Sequence, residues 1–104
     1  MTRRAQPAAP PLPDAGAYRP SPHIAHREIE GQILLLLPGE SELYTFNASA
    51  AFIWKGLARR RAPRRIAADL ARAFGIDRAQ AERDVARFVR DMARKGLLEK
   101  PRRR

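Results

Sequence analysis

The chain reads as a small α+β domain: a three-stranded antiparallel sheet followed by three helices, the last two forming a helix-turn-helix unit. Three observations predict this. Short apolar runs between His23 and Phe46 are each closed by turn residues; helical spacing takes over after Asn47; and only Phe74-Gly75-Ile76-Asp77 joins the last two helical stretches. With 104 residues there is room for one core and no second domain.

His23 to Glu30 and Gln32 to Leu37 read as two strands turning at Glu30-Gly31, where glycine accepts a positive φ. Pro38-Gly39-Glu40-Ser41 stops the second, and the run Ile33 to Leu37 is too short between its turn signals to be a helix. Glu42 to Phe46 makes the third strand, with Tyr44 and Phe46 on one face and Leu43 and Thr45 on the other. Asn47 caps a helix from Ala48 to about Ala58, with Ala51, Trp54 and Leu57 or Ala58 on one side. Pro63 opens the next, where Ile66, Leu70 and Phe74 recur at four-residue spacing until Gly75. Asp77 caps the longest helix, Gly96 ends it, and Leu97 and Leu98 return to the core. Residues 1–22 hold six of the nine prolines and read as a disordered tail, leaving 23–100 as the folded domain and 101–104 as a basic tail.

Composition excludes several classes of chemistry. Without cysteine there are no disulfides, thiolate metal sites or cysteine nucleophiles. His23 and His26 fall on opposite faces of a strand and lack a third ligand, Ser21, Ser41 and Ser49 lack a base, and the six glycines are scattered. We therefore expect no catalysis, no cofactor and no metal. Prolines break the N-terminal stretch before it could serve as a signal peptide, and no run approaches a membrane span, so a cytoplasmic location is the expectation. Of the net charge of +10, the N-terminal tail carries +2 and the last three arginines +3. Within 24–47 a single Arg27 faces Glu28, Glu30, Glu40 and Glu42, so the folded excess lies in the helical half and points to an acidic partner.

Three features bear on binding. The longest helix buries Val85, Phe88, Val89 and Met92, carries Arg83, Arg87, Arg90 and Arg94 opposite, and has Ala79, Ala86 and Ala93 along one flank as a shallow groove. A second group, Arg59-Arg60-Arg61-Ala62-Pro63-Arg64-Arg65, puts five cations at a helix start, where the macrodipole favours acids and Ala62 caps poorly. Such a breach of local rules marks a docking candidate in Arg61, Arg64 and Arg65. Finally, Glu42 to Phe46 has neither Lys nor Pro to protect it if it is a sheet edge. A guest peptide could then add as a fourth strand.

At these residues the sequence resembles the PqqD-like family, the precursor-peptide recognition modules of ribosomally made, post-translationally modified peptides. The likeness runs over about Ile24 to Glu99. It is carried by Leu43-Tyr44-Thr45-Phe46-Asn47, Ile53-Trp54, Ile66-Ala67-Ala68-Asp69-Leu70, Phe74-Gly75-Ile76, Asp84-Val85 and Gly96-Leu97-Leu98. The resemblance implies a winged-helix-like unit that performs no chemistry. A precursor's leader adds to the third strand, packs on the third helix and is presented to a modifying enzyme, often a radical S-adenosylmethionine enzyme. The chain departs from the family pattern at Ala62, Arg64 and Arg65, where Ser/Thr and acids are usual. Its second strand and following turn also lack the Trp and the Pro-Glu-Arg of the pyrroloquinoline quinone proteins.

The expected site is therefore the backbone of Glu42, Leu43, Tyr44, Thr45 and Phe46. Ala86, Val89 and Ala93 give it apolar contacts, and Arg83, Arg87 or Arg90 meet acidic side chains of the leader. Two other outcomes stand beside it. One is nucleic-acid binding through Arg78, Gln80 and Arg83, opposed by Asp77, Glu82 and Asp84 on the same helix. The other is a homodimer formed by the open strand pairing with its own copy.

Overall fold

The computed structural model describes residues 12, 18–22, 24–30, 32–36 and 43–100. In chain order the elements are β1 (Arg19–Pro20), β2 (Ala25–Ile29), β3 (Gln32–Leu36), β4 (Leu43–Thr45), α1 (Ala48–Ala58), α2 (Pro63–Phe74), α3 (Arg78–Arg94) and β5 (Leu98–Glu99). Strands β2, β3 and β4 form an antiparallel sheet in that spatial order, with Glu28 opposite Ile33 and Leu34 opposite Thr45. The three expected strands and three expected helices are therefore present.

Alternation along β3 decides which face the helices cover. Ile33 and Leu35 are buried, whereas Leu34 is half-buried and Leu36 exposed. Ile33 and Leu35 share one core with Trp54 and Leu57 from α1, Ile66 and Leu70 from α2, and Val85 and Val89 from α3. Close approach of α1 and α2 depends on Gly56, since a Cβ there would fall 2.8 Å from Ile66 Cγ1.

Helix ends follow the sequence chemistry in part. The Asn47 side chain accepts from the Ala50 amide at 2.9 Å, and Gly75 closes α2 in the left-handed region at φ +65°. Asp77 occupies the N-cap position of α3 but makes no capping hydrogen bond.

The expected tail boundary at residue 22 is corrected by the first strand. Arg19 and Pro20 pair with Glu99 and Leu98 in a two-residue antiparallel ribbon. Ser21 then donates its hydroxyl to the Gly96 carbonyl at 2.8 Å and its amide to the Leu97 carbonyl at 3.0 Å. Leu12 and Tyr18 pack against the core. Two residues are too few for any periodicity, and the neighbouring prolines argued against a strand, so composition concealed this ribbon. The other residues of 1–22 and the tail 101–104 lie outside the described residues.

Candidate functional site

Strand β4 is an outer strand of its sheet, paired with β3 alone among the described residues. The polarity of that pairing fixes what it leaves open. The Phe46 amide donates to the Ile33 carbonyl at 3.2 Å, which makes Phe46 and Ile33 a hydrogen-bonded pair. Antiparallel ladders alternate, so Tyr44 with Leu35 is the next such pair, and the N–H and C=O groups of Leu43 and Thr45 point away from the sheet. These four groups are the hydrogen-bonding capacity a fourth strand requires. Glu42, placed in the site from sequence, lies outside the described residues.

What stands beside this edge is set by Phe46. Its ring is buried and meets Trp54 of α1 at 5.5 Å and Phe88 of α3 edge-on at 5.3 Å. Phe88 thereby brings α3 into contact with Phe46, the residue that follows β4. At 100° per residue, Ala86 and Ala93 lie about 140–160° around the helix from Phe88, whereas Asp84, Arg87 and Asp91 lie within about 100° of it, away from the core.

This geometry corrects part of the sequence reading. Val89 and Ala86 are each only 3% exposed and are spent on the protein's own interior, so they offer no contact to a guest. Ala93 is half-buried on the flank far from Phe88. Arg83 and Arg90 are exposed on the outer ridge, where Arg83 donates to Gln80 at 2.9 Å and Arg90 pairs with Asp91 at 3.2 Å. Arg87 is half-buried, about 100° around the helix from Phe88.

Phe88, Asp84, Arg87 and Asp91 are all half-buried. Asp84 accepts from Gln80 at 2.8 Å. At 100° per residue Asp77, Asp84 and Asp91 share one flank of α3.

The arginine group lies elsewhere. Arg61, Arg65 and Arg72 converge on Asp69 at 3.6, 3.3 and 3.6 Å, while Arg64 is exposed. Among the described residues no group of three or more His, Asp or Glu could hold a metal, and no helix is long and apolar enough to cross a membrane.

Solved structures with this architecture include TbiB1 in complex with the TbiA(beta) leader peptide. It shares 26% identity at a TM-score of 0.73, covering 82% of this chain and 99% of that one. Lasso peptide synthetase B1 complexed with the leader peptide shares 27% at a TM-score of 0.72, covering 79% and 96%. The PqqD truncation of Methylobacterium extorquens PqqCD, described as a stand-alone recognition element of ribosomally made and modified peptides, has the same fold at 22% identity. Its TM-score is 0.67, with 86% and 95% covered. No curated protein matches the chain. The family model of coenzyme PQQ synthesis protein D (PqqD) matches residues 32–98, more than half of the chain, and the chain belongs to that family.

Proposed function

We propose that this protein binds the leader of a ribosomally synthesised precursor peptide as a fourth strand along β4 and presents it to a modifying enzyme. The single observation that carries the reading is the outward-pointing backbone of Leu43 and Thr45 on an outer strand. Membership of the PqqD family and the two leader-bound structures support it. Affinity comes from main-chain hydrogen bonds, and selection comes from side chains lying against Phe88, Asp84, Arg87 and Asp91. The protein itself supplies no chemistry in this scheme.

For the enzyme, the lasso peptide synthetase component among the leader-bound structures favours a lasso-type maturation system. A radical S-adenosylmethionine enzyme, as in PQQ-type maturation, is the second assignment. Co-purification with a representative of each separates them.

Thr45→Pro tests the site directly. Proline removes a donor that points to the guest and none that β4 gives to β3, so the sheet should survive. In an NMR titration of the labelled protein with candidate leader peptides, the wild type should show shifts along β4 and α3. The variant should bind at least about tenfold more weakly, the cost of one lost, desolvated hydrogen bond with its strand geometry. Equal affinity with an intact fold overturns the reading.

Nucleic-acid binding through α3 is disfavoured by Glu82, Asp84 and Asp91, which line that helix among its arginines. Phosphate contacts would make affinity fall steeply with salt, whereas strand addition responds weakly.

A further inference from the structure

The turn that ends α1 is built in an unusual way. Arg60 donates its amide to Leu57 at 2.9 Å and Arg61 donates to Gly56 at 3.0 Å, the paired bonds of a Schellman closure. The residue in the left-handed position of that closure is ordinarily glycine. Here it is Arg60, at φ +62°. The fold accepts backbone strain at a position where glycine would relieve it, and what it gains is a guanidinium at that point.

That side chain borders an open concavity of about 430 Å³ together with Arg19, Ser21 and His26. Arg19 Nε is buried there without a hydrogen-bond partner among the described residues. On the other side of the same turn, Arg59 and Arg61 border a second concavity of about 230 Å³ with Phe52, Lys55 and Asp69. From Lys55 to Ala68 the chain has six cations and no carboxylate. Lys55 pairs with Glu28 on β2 at 2.6 Å and Asp69 is shared by Arg61, Arg65 and Arg72, whereas Arg59, Arg60 and Arg64 make no ion pair among the described residues. Three consecutive arginines therefore direct charge into two hollows separated by one strained turn.

We propose that the turn Arg59–Arg61 is a docking surface for an acidic segment of a partner protein, with carboxylates entering both hollows. Charge complementarity selects the occupant, and the half-buried Phe52 in the smaller hollow favours a polypeptide over a phosphate backbone. The surface is separate from the leader groove, since His26 stands on β2, two strand spacings or about 10 Å from β4. The proposal rests on the leader-binding reading only for the identity of the partner, the modifying enzyme.

A deca-glutamate peptide titrated into the full-length labelled protein at physiological ionic strength tests it. Shifts should centre on residues 55–65 with Arg19 and His26, and leave β4 unmoved. Arg60→Gly should raise the thermal midpoint by relieving the turn, yet weaken deca-glutamate binding about tenfold. Leader affinity should stay unchanged. Arg59→Ser with Arg61→Ser provides a second variant that leaves the turn geometry alone, and it should weaken binding as much. Equal affinity in Arg60→Gly, shifts confined to the chain ends, or tighter binding of a short DNA duplex at the same residues each overturn the proposal. If deca-glutamate binds as described and leader peptides do not reach β4, the docking surface stands and the leader reading falls.

Discussion

Phe46 and Phe88 meet ring edge to ring face, 5.3 Å apart with their planes at 68°, and this contact holds α3 against the end of β4. Through these two rings α3 reaches the residue that follows β4.

Phe88→Ala should therefore do two things at once. Removing a half-buried aromatic costs about 2–3 kcal/mol of stability, and loss of the wall should weaken leader binding beyond what instability explains. Chemical denaturation and peptide titration below the denaturation midpoint separate the two effects. Leader affinity unchanged in the folded variant would show that the groove does not use this wall.

Trp54 is the single tryptophan, almost fully buried, and its ring meets that of Phe46 at a tilt, 5.5 Å between centroids. Its Nε1 has no hydrogen-bond partner among the described residues. A guest seated on β4 bears on Phe46, so leader binding should change Trp54 fluorescence, which a fluorescence titration reads.

Gly56→Ala should destabilise the protein although alanine is the better helix former by about 1 kcal/mol. The new Cβ would fall 2.8 Å from Ile66 Cγ1 and 2.9 Å from its Cδ1, in a well-packed contact between α1 and α2. Overpacking of this kind costs about 1–3 kcal/mol, so a net loss is expected in thermal melting.

A chain beginning at His23 should be less stable than one beginning at Tyr18. The shorter chain loses the Ser21 hydroxyl and amide bonds to Gly96 and Leu97 and the pairing of Arg19 with Glu99 at 3.3 Å. At about 1 kcal/mol per buried hydrogen bond, with the half-exposed ion pair adding little, the difference should be about 1–2 kcal/mol. Ser21→Ala alone should give about half of it.

That last comparison marks where sequence reading reaches its limit. The helix bounds Ala48–Ala58 and Pro63–Phe74 follow from Asn47, Pro63 and Gly75, whose chemistry is local. The edge position of β4 was anticipated from a strand lacking Lys and Pro, and the ladder supplied the polarity that makes Leu43 and Thr45 its open positions. The ribbon of Arg19 and Pro20 with Glu99 has no local signal, because both halves are two residues long and 80 positions separate Arg19 from Glu99. The alanine flank of α3 follows from helical angle, whereas the burial of Ala86 and the half-burial of Ala93 come from packing that angle alone does not give. Helical periodicity says which residues share a side but not which neighbour that side meets.

The same ribbon bears on how the domain can be handled. Because Arg19 lies across from Glu99, the two ends of the folded part sit about 5 Å apart. A circular permutant joining them through a few glycines and serines, and opened between β3 and β4, should keep the core. The whole unit could equally be spliced into a surface loop of a host enzyme with little distortion of either.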